Sequence, residues 1–284
     1  TLPWALPAAR HAGIPGVWTC MGWWFRPKRW QRAFFRRPAA TFAHSQAIKR
    51  GFLGEPPFMP PEYIEVLYPG VDTERFSPRA DGPGLRTEIS VPDGVPLVAM
   101  IGRYQQVKGQ DVFVRAMWGV LRRHPNAHFL MVGDNPDGGG GRAFRERVER
   151  LVESRPAARG RFHFLGHRAD VERVMAAADV IVCPSHFESF GMVNVEAMAT
   201  ATPVVSTNEG GPREVIVDGV TGYLVPPNDP DAIAERVIEL LFSAETRRRF
   251  GAAGRLRVRQ QFSVRAVAGR FAEVAFPPDG ADKD

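Results

Sequence analysis

The chain has 284 residues, 44% hydrophobic, 24% charged and 10% aromatic, a globular composition that excludes disorder throughout, collagen and a coiled coil. It contains no run of roughly 18 consecutive apolar residues, so a membrane-spanning helix is excluded and any membrane contact is peripheral. Nine of the 37 lysines and arginines fall in the first 54 residues, which hold no acidic residue; the other 230 carry 28 basic against 31 acidic side chains, so the net charge of +6 belongs to one segment.

In chain order, residues 1–75 offer two strand-like stretches, Gly16–Cys20 and Thr41–Ala43, and a third at Tyr63–Leu67. These are too few for a complete α/β domain, so the segment is expected to be the back part of one. The chain opens at Thr1 in mid-pattern, with no charged n-region ahead of an apolar stretch, which reads as a lost N-terminus. Within this segment Arg26, Lys28, Arg29, Arg32, Arg36 and Arg37 interleave with Trp23, Trp24, Phe25, Trp30, Phe34 and Phe35. That pattern suits an amphipathic element on an anionic lipid surface, with a charged loop beside an acceptor cleft as the competing reading and nucleic acid set aside.

Proline and glycine concentrate in Gly54–Pro61 and Asp81–Asp93, and residues 76–94 are the expected linker. From residue 95 to 261, short apolar runs alternate with segments of helical period, the pattern of a parallel sheet flanked by helices. Six runs are expected as strands: Leu97–Ile101, His128–Val132, Arg161–Leu165, Val180–Cys183, Pro203–Ser206 and Gly222–Val225. Helix faces follow at Val112, Phe113, Ala116, Met117 and Val120, at Phe144, Val148, Leu151 and Val152, and at Val171, Val174, Met175 and Ala178. Asp229 and Pro230 open another helix, and Glu245–Gln261 and Ser263–Ala275 read as the last two, residues 262–284 being a closing helix and a disordered tail. The fold class is therefore α/β, with a doubly wound C-terminal domain. Cys20 and Cys183 lack the spacing of a metal knuckle or a disulfide framework, which makes a reducing cytoplasm the expected compartment.

Ligands of open parallel sheets bind beyond the carboxyl ends of the strands, so the segments after each run carry the chemistry. Three stand out: Gly102-Arg103 with Lys108-Gly109 after the first strand, Pro184 to Gly191 running into a helix with Glu196 after the fourth, and Gly210-Gly211-Pro212-Arg213-Glu214 after the fifth. Two glutamates eight residues apart, Glu188 and Glu196, would stand about 80° apart on one continuous helix, which places Glu188 in the preceding loop. In isolation, Ser185 to Glu188 also fits a helix capping box, and Pro212 a proline-first helix start.

Together these residues resemble the retaining nucleotide-sugar glycosyltransferases of family 4, which have the two-domain GT-B fold. Tyr68 to Phe76 is similar to that family's interdomain hinge, and the closing helix to the one that crosses back to the first domain. The resemblance implies a donor domain over 95–261, a hexose moved with retention from a nucleoside diphosphate sugar, and an acceptor linked to the envelope, a lipid or a glycan. Arg103, Lys108 and Glu188 are then the expected catalytic residues. Arg103 and Lys108 would clamp the departing diphosphate while Glu188 meets the sugar, and no metal or other cofactor is needed. Gly102, Ser189, Phe190, Gly191, Met192 and Glu196 would hold the nucleotide, with Glu196 on the ribose and the helix start on the phosphate. His167 and Arg168 would lie at the base, largely through their main chain. Where the family often places a histidine facing the sugar, this sequence has Met21.

A full member would carry roughly 90 to 100 further residues ahead of Thr1, so nucleotide binding is expected of this chain and transfer only with an intact first domain. The implied location is cytoplasmic, peripheral at the inner membrane face. A GT-B epimerase or phosphorylase and a non-catalytic nucleotide-sugar binding module are the alternatives. Gly138–Ala143 mimics a dinucleotide-binding turn but starts five residues after its strand. Asp229-Pro230-Asp231 mimics a metal-binding pair but sits where a helix wants a cap. His186 reads as a loop residue, because no serine or cysteine nucleophile with a partner acid accompanies it.

Overall fold

The computed structural model describes residues 5, 8, 9, 11–14, 16–22, 28–30, 40–134 and 140–275. The chain forms two compact units, one of Thr1–Gly70 with Gln261–Asp284 and one of Val71–Gln260. Among the described residues every strand pairing is parallel.

In the first unit β1 (Val17–Cys20), β2 (Ala40–Ala43) and β3 (Glu65–Val66) lie in that order. Helix α1 (Gln46–Leu53) starts where Ser45 Oγ accepts the Ile48 N–H at 3.0 Å, and it buries Ile48, Phe52 and Leu53. The expected strand Tyr63–Leu67 shrinks to two residues, because Pro60 and Pro61 turn the chain into a 3₁₀ segment over Pro61–Tyr63. Of the basic aromatic segment 23–37, only Lys28, Arg29 and Trp30 are described, all exposed; the amphipathic element read from that segment lies outside the described residues. No helix among the described residues is long and apolar enough to cross a membrane.

The second unit opens with α2 (Gly82–Glu88), capped by the Asp81 carboxylate, so residues 76–94 contain a helix of this unit. Then come β4 (Leu97–Ile101), α3 (Gln110–Arg123), β5 (His128–Val132), α4 (Gly140–Glu153), β6 (Phe162–Gly166) and α5 (Val171–Ala177). They are followed by β7 (Val180–Cys183), α6 (Met192–Ala199), β8 (Val204–Thr207), α7 (Pro212–Val215), β9 (Gly222–Val225), α8 (Pro230–Phe242) and α9 (Ala244–Gln261). The last helix, α10 (Val264–Ala275), belongs to the first unit, where Phe271 and Val274 pack on Ala40 and Phe42. Strand order in the large sheet is β6-β5-β4-β7-β8-β9.

Helices cover both faces of this sheet, so its strands read as continuous apolar runs, with Leu97, Val98, Ala99, Val180, Ile181 and Val182 fully buried. Two strands sit one residue later than expected. In β6 the pairing jumps from Met131↔Phe164 to Val132↔Gly166, so Leu165 bulges and the strand extends to Gly166. In β8, Pro203 cannot donate to the ladder, and pairing starts at Val204. Asp229 accepts the Ala232 N–H at 2.9 Å and so caps α8. Gly138 and Gly139 of the glycine run lie outside the described residues, and Gly140 already opens α4. Cys20 and Cys183 are both buried and unbridged.

Candidate active site

This strand order reverses direction between β4 and β7. The chain runs outward through β5 and β6 on one side and through β8 and β9 on the other, which opens a crevice beyond the carboxyl ends of β4 and β7. The two loops that bound the crevice are those singled out from the sequence.

After β4, Gly102 N–H bonds to Val132 O at 2.9 Å and the chain turns through Arg103 and the buried Tyr104. Gln110 Nε2 donates to Arg103 O at 2.7 Å and holds that turn. A 3₁₀ segment, Gln106–Lys108, then delivers the lysine, and Gly109 starts α3 in the left-handed region. A side chain at Gly109 is excluded twice over: its φ is +73°, and a Cβ would lie 2.3 Å from Pro184 O of the neighbouring loop. The loops also join where His186 N–H donates to Val107 O at 2.8 Å. This backbone role fits the reading of His186 as a loop residue.

The contact places Lys108 beside Glu188. Lys108 Nζ donates to Glu188 Oε1 at 2.7 Å, and Ser185 Oγ donates to the same oxygen at 2.7 Å. The capping box read from Ser185 and Glu188 does not form, because residues 185–191 are a loop in which Ser185 meets the carboxylate of Glu188 instead of a helix N–H. Arg103 is exposed, and its guanidinium makes no hydrogen bond or ion pair among the described residues. Gly191, with φ +90°, is the N-cap of α6, so Met192 begins the helix and Glu196 stands on its second turn. Phe190 is buried. Ser189 lies in the same turn.

A third loop presses on the second. Gly211 N–H donates to Glu188 O at 2.9 Å, and Gly210 bridges Glu188. A Cβ at Gly210 would fall 2.0 Å from Glu188 O, and one at Gly211 would fall 2.3 Å from Phe190 Cα. The glycine pair is what lets this backbone lie against the loop that carries Glu188.

The half-buried Glu196 carboxylate makes no hydrogen bond among the described residues. Burial raises its carboxyl above the ordinary range, opposed by the charge of Arg75 and reinforced by Glu172. Burial likewise pushes the Cys183 thiol up, so it is no nucleophile. Beyond β6, His167 is exposed, while Arg168 is held by Asp170 at 2.8 Å and Glu88 at 2.7 Å. The Arg168 bond is the largest of the effects that drive the Asp170 carboxyl below its usual range. Met21, in the first unit, is 62% exposed.

Sequence reasoning missed the orienting role of Ser185, the hold of Gln110 on the Arg103 turn and the proximity of Arg75 to Glu196. All three are contacts between elements or across a loop, and none leaves a spacing signal.

Residues 84–257 match the family model described as Glycosyl transferases group 1, and residues 1–75 match that of Glycosyltransferase Family 4. The chain is 37% identical over 177 residues to the D-inositol 3-phosphate glycosyltransferase of Corynebacterium kroppenstedtii, covering 60% of this chain and 38% of that protein. It is 31% identical over 266 residues to the alpha-maltose-1-phosphate synthase of Mycolicibacterium smegmatis, covering 89% of this chain and 67% of that protein. Anabaena HepE, solved with UDP, superposes with a TM-score of 0.83 at 25% identity over 95% of this chain and 74% of HepE. Parallel sheets in this order, the paired loops at the switch point and these matches agree: the chain belongs to the group 1, family 4 glycosyltransferases of GT-B fold.

Proposed function

We propose that this protein transfers a hexosyl group with retention from a nucleoside diphosphate sugar to a glycan-, lipid- or envelope-linked acceptor. The observation that carries this reading is the Lys108–Glu188 pair at the switch point, beside the first turn of α6 and the half-buried Glu196, whose carboxylate makes no hydrogen bond among the described residues. Departure of a nucleoside diphosphate builds negative charge on the diphosphate while the sugar becomes cationic, so the site must offer positive charge to one and acceptors to the other.

An ammonium has three N–H donors, and Glu188 takes one of those of Lys108, which leaves two for a phosphate oxygen. Arg103 adds a planar guanidinium, and the opening turn of α6 adds backbone N–H groups and its dipole. Glu188 Oε1 already accepts twice, so Oε2 is the atom free to take a sugar hydroxyl. Glu196, without a hydrogen bond among the described residues, would accept from the two ribose hydroxyls. Each role needs only groups of this chain, so neither a metal nor a further cofactor is invoked. The relatives support a nucleotide-sugar donor, since HepE was solved with UDP and with UDP-glucose.

Calorimetry of the chain against UDP, GDP and ADP, then turnover of the matching hexose donors, with and without EDTA, by the protein with an intact first domain, tests this. The expected results are a Kd between about 1 μM and 1 mM for one nucleotide and an EDTA-insensitive product that keeps the anomeric configuration by NMR. Lys108→Ala should lower turnover roughly 100-fold. An inverted product, or a strict need for divalent metal, would reject the mechanism.

A further inference from the structure

The loop that carries Glu188 is pinned through its backbone. His186 N–H donates to Val107 O at 2.8 Å, Glu188 O accepts the Gly211 N–H at 2.9 Å, and Ser185 O accepts from Thr207 Oγ1 at 2.5 Å. The last of these pins is made by a side chain. Thr207 is the final residue of β8 and is fully buried, and Ser185 is 3% exposed, so the Ser185 carbonyl has no ready access to water in place of that hydroxyl.

From the backbone so held, Ser185 Oγ donates to Glu188 Oε1 at 2.7 Å. A hydroxyl has a single proton to give, and the carboxylate takes it. The other donor to that oxygen is the Lys108 ammonium, a partly exposed cation, which a diphosphate entering the crevice draws toward itself. The serine hydroxyl is neutral and buried, so an anionic ligand does not compete for it. Ser185 is then the group that keeps Oε1 occupied and the carboxylate aimed while Lys108 meets the leaving group. Where its hydroxyl stands is set from the neighbouring strand: β7 and β8 pair as far as Cys183↔Ser206, and Thr207 follows directly, reaching across to Ser185.

We propose that Thr207 is a positioning residue for the reaction, which acts through Ser185 to hold the Glu188 carboxylate toward the donor sugar. In this role it touches neither nucleotide nor sugar. The inference rests on the reading of Glu188 as the carboxylate that meets the sugar.

Crystal structures of the chain and of its Thr207→Val variant, each with UDP, read the contact without any turnover. The parent should keep Ser185 Oγ and Glu188 Oε1 at hydrogen-bond distance, and the variant, which has the shape of threonine without its donor, should show the carboxylate displaced from Ser185. In the protein with an intact first domain, Thr207→Val should lower kcat about tenfold while the Kd for UDP and the KM for the donor stay within about twofold, and Thr207→Ser, which restores a hydroxyl, should return most of the rate. Ser185→Ala should slow the reaction by a similar factor, and adding Thr207→Val to it should cost little more, since both act on one contact. The proposal fails if the Ser185–Glu188 hydrogen bond survives in Thr207→Val, if Thr207→Ser is as slow as Thr207→Val, if the double variant loses the product of the two single factors, or if UDP affinity falls as far as kcat. A lower Tm with unchanged kcat would make Thr207 structural only and also rejects it. A parent that binds UDP but turns over no nucleotide sugar refutes the donor reading instead, and the two structures still decide the contact.

Discussion

Glu188 and Glu196 differ in what already surrounds them. Glu188 Oε1 accepts from Lys108 and Ser185 at 2.7 Å each, while the half-buried Glu196 carboxylate makes no hydrogen bond among the described residues. Removing Glu188 should therefore impair transfer and leave nucleotide affinity close to that of the parent; removing Glu196 should weaken the nucleotide itself. Calorimetry with the free nucleoside diphosphate separates the two, and equal loss of affinity in both variants would refute this division of roles. Glu196 also carries a stability signature. Because burial raises its folded-state pKa above the unfolded value, the folded form binds its proton more tightly. Its contribution is then fully present below the unfolded pKa and lost as pH rises through the folded one. At neutral pH its charge opposes folding, so Glu196→Gln should raise Tm while lowering nucleotide affinity, as groups kept for function often do.

At the scale of elements, the loops are held by backbone, and a single methyl group can displace them. Gly210→Ala would put a Cβ 2.0 Å from Glu188 O at φ +80°. The expected outcome is a loss of about 2 kcal/mol or more in denaturant unfolding, together with a fall in turnover larger than that of a comparable substitution on the far face of α8. The other end of the sheet offers a titration. At the start of β5, His128 Nε2 faces Arg161 Nη1 at 3.1 Å, and its Nδ1 faces His163 Nε2 at 2.8 Å. Arginine can only donate, so His128 Nε2 accepts, its Nδ1 carries the proton, and His163 Nε2 accepts in turn. Both rings are thus neutral. Burial lowers both pKa values, helped at His128 by the charges of Arg161 and Arg86 and by repulsion from His163 once that ring is protonated. Below the unfolded-state value of about 6.5 the unfolded chain binds more protons, so stability is full above it and falls as pH drops toward the folded values. Denaturant midpoints at pH 7.5 and 5.5 measure this (about one unit either side of an ordinary histidine). Replacing both histidines with glutamine should flatten the difference.

At the scale of the whole molecule, charge and chemistry are segregated along the chain. The groups assigned to the donor, from Gly102 to Glu196, all lie in the unit Val71–Gln260, whereas the stretch of nine basic and no acidic side chains lies in the first 54 residues. If that stretch meets an anionic lipid surface, the chain should sediment with phosphatidylglycerol vesicles and not with phosphatidylcholine ones. Replacing Lys28 and Arg29 with glutamine should cost about 1 kcal/mol each of that binding. Equal sedimentation with both lipids would count against the membrane surface.

The sequence by itself determined the strands, the helices and the order of the loops that matter. Continuous apolar runs such as Val180–Cys183 and caps such as Asp229 are local signals, set by backbone hydrogen bonding and burial within a few residues. One of its errors was local, the shortening of β3 by Pro60-Pro61, and one was not: Leu165 bulges against its neighbour strand. Only the tertiary structure decided that Lys108 meets Glu188 across 80 positions, that Ser185 orients the same carboxylate instead of capping a helix, and that Arg75 shares the field of Glu196. It alone also set the Thr207 hydroxyl against the Ser185 carbonyl, 22 positions away. These partners are brought together by the crossing of a parallel sheet, whose long connections place residues distant in sequence at adjacent strand ends, and a spacing in one chain leaves no trace of that geometry.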